Sequence, residues 1–126
     1  MENVLFAYGT LQHPRIISFV LDRIPESAQA RLYGFARFAI QNEDFPGILA
    51  KEDSYTDGTA FFGITLAEWE ELDYYESDLY DRQTVRLELE DGTNTQAEVY
   101  VIPPENQHVL SSNLWELNQY RPNPLP

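Results

Sequence analysis

Apolar residues open the chain as one short unbroken run, Val4 to Tyr8, closed by Gly9. A run of that length ending at glycine predicts a first strand buried on both faces, with a turn behind it. Pro14 then falls where a helix begins, and Ile16, Ile17, Phe19, Val20 and Leu21 predict a short, largely buried helix that stops before Pro25. Ala28, Ala30 and Leu32 alternate with polar residues as a half-buried strand does, and Gly34 interrupts the pattern. Phe38–Ile40 and Ile48–Ala50 are further strand candidates, separated by the turn-forming stretch 42–47. Gly58 to Ile64 predicts another strand.

Thr65-Leu66-Ala67-Glu68 has the form of a capping box, in which a threonine hydroxyl and a glutamate three residues later exchange hydrogen bonds with free amides. A helix should therefore start there and run to about Glu76. Val85, Leu87 and Leu89, then Ala97, Val99 and Val101, alternate on either side of Asp91-Gly92, which predicts a hairpin. Residues 103–126 are rich in proline and predict a tail carrying one short helix near Leu110 to Asn118. One domain over residues 1–126 is expected, with its core in about 4–102. Strands dominate over two or three short helices, so the class is α+β, with a mainly antiparallel sheet curled into a small barrel.

Composition narrows the chemistry. With 43% hydrophobic and 13% aromatic residues, 126 residues can build one real core. The chain has no cysteine, which excludes disulfides, a thiolate nucleophile and cysteine-based metal sites. Its 21 acidic against 8 basic residues give a net charge of -13, which repels phosphate backbones and anionic membrane surfaces, so neither nucleic acid nor membrane is an expected partner. The start has neither a basic n-region nor an apolar h-region, and no apolar stretch approaches a membrane span. A cytoplasmic monomer is the expectation. His13 and His108 lack ligand-spaced neighbours, so no metal is expected. Glycine patterns for nucleophile elbows, dinucleotides or P-loops do not occur.

Two constellations remain. At about 100° per residue, Trp69, Leu72 and Glu76 share one stripe of the second helix, which turns Glu76 inward. Most of the surrounding acidic cluster, Glu68, Glu70, Glu71, Asp73, Asp78 and Asp81, reads as a solvated face. An inward carboxylate loses hydration, which raises its pKa toward the range of a general base. Spacing alone leaves a second reading open, a helix-end carboxylate paired with Arg82 or Arg86. The other constellation is Tyr8-Gly9-Thr10-Leu11, where successive amides in a glycine turn can face one anionic oxygen and a bare glycine allows close approach. On its own that motif is more often a plain connection.

Taken together, Phe6-Ala7-Tyr8-Gly9-Thr10-Leu11 and the stretch from Leu72 to Arg82, with Phe45-Pro46-Gly47-Ile48 between them, resemble the signatures of the γ-glutamylcyclotransferase-like family. The form Tyr-Gly-Thr-Leu resembles its avirulence-induced-gene-like branch, of γ-glutamylamine cyclotransferase type. The resemblance spans about residues 4 to 102. It implies a compact α+β fold with a small barrel and an enzyme that turns a γ-glutamyl compound into 5-oxoproline and an amine, without cofactor or metal. By the same resemblance, Tyr8, Gly9, Thr10 and Leu11 match the loop whose amides hold the substrate α-carboxylate, Glu76 the acid/base glutamate, and Tyr80 and Arg82 the supporting residues. Ser77 departs from the family, which usually has glycine there. Two competing readings stand beside the enzyme: a binding module for a small carboxylate metabolite, and an acidic interaction protein that docks through its tail.

Overall fold

The structure, a computed structural model, describes residues 3–41 and 45–114, with side chains through residue 110. Along these residues run β1 (Leu5–Ala7), α1 (Pro14–Leu21), β2 (Ser27–Ile40), β3 (Pro46–Phe61), α2 (Leu66–Glu76), β4 (Asp81–Leu89), β5 (Asn94–Val101) and β6 (Leu110–Leu114). Short 3-10 turns lie at Thr10–Gln12, Ser77–Leu79 and Pro104–Val109.

Strands β3, β1, β5, β4 and β2 are neighbours in that order, and β2 pairs back onto β3, so five strands close into a barrel. Every pairing is antiparallel except β1 with β5, which meet at Leu5 and Glu98. The fold is thus the α+β class with a small, mainly antiparallel barrel that the hydrophobic pattern predicts. Side chains alternate across each strand. Val4, Phe6 and Tyr8 point into the barrel with Leu87, Ala97, Val99 and Val101, while Leu5 and Ala7 face outward and are covered by Ile16, Ile17, Leu21, Trp69 and Leu72 of the two helices. Burial on both faces is why β1 reads as a continuous apolar run rather than an alternating one.

Both helices start where their caps place them. His13 caps α1, its ring nitrogen accepting from the Arg15 amide at 3.2 Å, and Pro14 occupies the first helical position. Both halves of the capping box form at α2: the Glu68 amide donates to Thr65 Oγ1 at 3.1 Å and the Thr65 amide to Glu68 Oε1 at 3.0 Å. Glu68 also pairs with Arg23 at 2.6 Å and is not merely a solvated residue. In the β4–β5 hairpin, Asp91 Oδ1 accepts from the Thr93 amide at 2.9 Å and Gly92 takes φ 88°.

Elsewhere local pattern understates the sheet. The separate short strands expected around Ala28–Leu32, Phe38–Ile40, Ile48–Ala50 and 58–64 merge into two long strands, β2 and β3, paired from Ser27↔Phe61 to Ala39↔Pro46. Gly34, at φ 85°, marks a register shift between Tyr33 and Phe35 rather than a break. On β3 the pairing skips from Tyr55 to Ala50, so polar residues such as Glu52 and Asp53, which have no apolar pattern of their own, form an irregular stretch within the long strand, with Asp53 at φ 62°. Of the expected turn, residues 42–44 lie outside the described residues. The helix expected over Leu110–Asn118 does not form in its described part: residues 110–114 are strand β6, which pairs with Phe38 and Ile40 of β2. That end of β2 lies beyond the β4 pairing at Ala30 and Arg31, so its edge needs a partner. Residues 115–118 lie outside the described residues, as does the rest of the tail.

Candidate active site

Where β1 ends, the chain turns through Tyr8 and Gly9 into the 3-10 turn Thr10–Gln12. The Tyr8 ring stays inside the barrel, and its hydroxyl donates to the Tyr100 carbonyl. Burial first of all, with the nearby Tyr80 and Glu76 adding to it, holds the Tyr8 phenol well above its ordinary pKa, so it stays protonated. The Tyr8 carbonyl accepts from Arg37 Nη1 at 2.7 Å, and the same nitrogen reaches the Asp57 carbonyl at 3.1 Å. The Gly9 carbonyl accepts from the Gln12 amide at 3.1 Å and from Gln12 Nε2 at 3.3 Å. Because Gln12 and His13 donate the first bonds of the turn, the amides of Gly9, Thr10 and Leu11 ahead of them donate to no acceptor among the described residues.

A cavity of about 260 Å³ opens at this loop. Tyr8, Gly9, Thr10 and Leu11 line it, and so do Glu76 and Tyr80 from the end of α2 and the turn that follows. The structure therefore brings together six of the seven residues singled out from the sequence. Arg82 is the exception. Its Nη1 lies 3.0 Å from Asp73 Oδ1, its Nε 3.3 Å from Glu98, and its guanidinium sits 4.7 Å over the Trp69 ring, all outside the cavity wall.

Glu76 is half-buried and lines the cavity. It forms no hydrogen bond or ion pair with a described residue, and the alternative pairing with Arg82 or Arg86 is not found. Loss of hydration without a compensating cation pushes its pKa up to about 8. Tyr80 is anchored by its hydroxyl, which donates to the Pro46 carbonyl at 2.7 Å, and its ring meets Tyr100 edge-on at 6.5 Å. Among the described residues, no group of three or more His, Cys, Asp or Glu could hold a metal ion, and no helix is long and apolar enough to cross a membrane.

Ser77 shows what its departure from glycine means. It takes φ 63° and ψ -168°, a region that glycine enters freely and other residues enter at a cost of order 1–3 kcal/mol. Its own contribution is weak, the hydroxyl accepting from the Leu79 amide at 3.4 Å. Ser77→Gly is expected to raise stability by about 1 kcal/mol and Tm by several degrees, read by thermal unfolding. A lower Tm would show that the turn is not strained.

Sequence reasoning missed three residues here. Asp73, assigned to the solvated face, accepts from the Tyr100 hydroxyl at 2.7 Å as well as from Arg82. Tyr100 lines the cavity, and its signal was parity: Ala97, Val99 and Val101 face the barrel interior, so position 100 faces α2. Arg37, a lone charge in the apolar stretch Phe35 to Ile40, was the visible sign of a buried carbonyl contact.

A family profile described as "Gamma-glutamyl cyclotransferase, AIG2-like" matches residues 5–117, which include every residue of this cavity. The chain belongs to the AIG2-like gamma-glutamyl cyclotransferase family. Among its relatives, AIG2-like protein C of Arabidopsis thaliana is 35% identical over 118 residues, covering 93% of this chain and 68% of that protein. AIG2-like protein A is 38% identical over 77% of this chain, which spans only 58% of its length. A Methanocaldococcus jannaschii protein named as a gamma-glutamylcyclotransferase and putative RNase is 30% identical over 103 residues, 77% of this chain and 45% of that one. The fold agrees. A solution structure from Arabidopsis thaliana superposes with a TM-score of 0.77 at 31% identity, over 87% of this chain and 75% of the other. A structure titled gamma-glutamyl cyclotransferase shares the fold at a TM-score of 0.69 and 17% identity, over 79% and 66% of the two chains.

Proposed function

We propose that this chain converts a γ-glutamyl compound into 5-oxoproline and a free amine, with Glu76 as the acid/base group. One observation carries the reading: a carboxylate with a raised pKa shares a small cavity with three amides of a glycine turn, and neither it nor they have a partner among the described residues. The amides of Gly9, Thr10 and Leu11 supply partial positive charge for the substrate α-carboxylate. Among the described residues no lysine, arginine or histidine side chain lines the cavity, so in this reading the anion is held by backbone dipoles.

In this reading Glu76 removes a proton from the substrate α-ammonium. The freed amine attacks the γ-carbonyl carbon of the same molecule, forming the ring C–N bond. The bond from that carbon to the leaving nitrogen breaks as the proton returns to that nitrogen. A second proton lost from the ring nitrogen leaves the amine as an ammonium, so atoms and charge balance without water, cofactor or oxidant. Closing a five-membered ring within a held substrate is an intramolecular reaction, for which effective molarities of about 10⁵ M or more are known. Positioned proton transfer adds roughly 10²–10⁴ in rate. γ-Glutamyl amines are the proposed substrate class. The test is product identity: a γ-glutamyl amine should yield 5-oxoproline, whereas a hydrolase would yield glutamate.

A further inference from the structure

Leu72 is the last side chain of α2 buried among apolar neighbours; Asp73, the exposed Tyr74 and Tyr75, and Glu76 follow it. Burial among apolar neighbours therefore stops one turn short of the carboxylate, and Asp73 ties this last turn to the sheet through polar contacts. Asp73 accepts from the Tyr100 hydroxyl at 2.7 Å and from Arg82 Nη1 at 3.0 and 3.1 Å to its two oxygens. These partners stand on β5 and β4. Arg82 is fixed in turn by Glu98 at 3.3 Å, and Glu98 by the Thr84 hydroxyl at 2.6 Å. Tyr100 reaches further, because its carbonyl accepts from the Tyr8 hydroxyl. A hydrogen-bonded path thus runs from the final turn of α2, through Asp73 and Tyr100, to the strand end that carries the amide turn.

We propose that Asp73 is a positioning residue, whose carboxylate pins the last turn of α2 to β4 and β5 and so sets where the Glu76 carboxylate stands in the cavity. The inference rests on Glu76 being the proton-transfer group. Asp73 keeps 50% of its side-chain surface, and ion pairs that exposed contribute at most about 1 kcal/mol to stability. Its replacement should therefore disturb placement more than folding. The Tyr100 phenol, held above its ordinary pKa by burial and then by Asp73, remains a donor throughout the working range.

The experiment is a carbon-13 titration of the Glu76 carboxyl in the wild-type protein, Asp73→Asn and Asp73→Ala. Both variants delete the same charge, but the asparagine oxygen can still accept from Tyr100. Among the described residues, the titratable groups that line the cavity with Glu76 are the phenols of Tyr8, Tyr75, Tyr80 and Tyr100, none of them cationic. Wild-type Glu76 should titrate near 8. In Asp73→Ala its value should fall by more than about one unit as the carboxyl reaches water, and in Asp73→Asn by clearly less. Equal falls would reveal a charge effect alone, and no fall in either would show that Asp73 does not place Glu76; both overturn the proposal. Kinetically, kcat should drop about tenfold or more in Asp73→Ala with KM nearly unchanged, and less in Asp73→Asn. Should Asp73→Ala fail to fold, Tyr100→Phe cuts the same tie without removing a charge: a lowered Glu76 value supports the proposal and an unchanged one overturns it. A wild-type protein that released no 5-oxoproline would refute the proposed reaction, while the titration would still decide the role of Asp73.

Discussion

Glu76→Gln is expected to lower 5-oxoproline release by about 10²-fold or more while the fold and ligand binding persist. Glutamine keeps the shape and the hydrogen-bonding reach of the side chain but cannot accept the proton. The pH dependence should change with it. Wild-type kcat/KM should rise with pH toward about 8, where the desolvated Glu76 ionises, and the variant should lack that limb. Stability carries a second, independent sign. A carboxyl whose pKa is raised on folding stabilises the native state fully below its unfolded value near 4.5, and that contribution is lost as pH rises toward about 8. Glu76→Gln removes this loss, so the variant should match the wild type at acid pH and exceed it at pH 8 and above by of order a few kcal/mol. An ion-paired Glu76 predicts the reverse, a less stable variant with little catalytic loss. A destabilised Glu76→Gln protein that still turned over would overturn the assignment.

Gly9→Val should be the next most damaging change, for a reason visible only in the folded chain. A Cβ at position 9 would lie 2.6 Å from Cδ and 2.7 Å from Cγ of Pro46. Pro46 borders the same cavity, and its carbonyl holds the Tyr80 hydroxyl. The glycine is therefore required first by the Pro46 ring, rather than by an approaching ligand as the sequence alone suggested. Overpacking of this kind costs roughly 1–3 kcal/mol, and displacement of the turn should lower kcat/KM by about tenfold or more. Pro46→Ala removes both clashing carbons and should restore part of the Tm and of the activity in the double variant. Normal Tm and activity in Gly9→Val alone would show that the turn does not pack as described.

The legible parts of the fold were those in which local chemistry decides. Pro14 and the Thr65/Glu68 capping box place the helix starts without help from the rest of the chain, and Asp91-Gly92 places its turn. The alternation of Val85, Leu87 and Leu89 against Ala97, Val99 and Val101 separated the barrel interior from its outside. The length of β2 and β3 was not legible, because the polar stretch from Lys51 to Ser54 interrupts the hydrophobic pattern, while pairing resumes on either side of it at Ala50 and Tyr55. Strand β6 escaped for the same reason. Leu110-Ser111-Ser112-Asn113-Leu114 is too polar to signal a strand, and only the free end of β2 recruits it.

The site divides in the same way. The Trp69, Leu72, Glu76 stripe turned Glu76 inward on spacing alone, and its neighbours Glu70, Glu71 and Tyr74 are exposed, as the helical wheel requires. Asp73 shares their sequence character yet takes Arg82 and Tyr100 as partners. Those partners come from strands that meet α2 only after the barrel closes, so no window of local sequence contains them.

The central claim is that the carbonyl is attacked by the substrate's own amine. Its most direct test is to incubate the purified protein with a panel of γ-glutamyl amines in oxygen-18 water and to identify the products by mass spectrometry. Cyclisation predicts 5-oxoproline and free amine in equal amounts, with no oxygen-18 in the 5-oxoproline, and release slower by about 10²-fold or more in Glu76→Gln. Labelled glutamate in place of 5-oxoproline, or tight binding of the panel with no product at all, would contradict it.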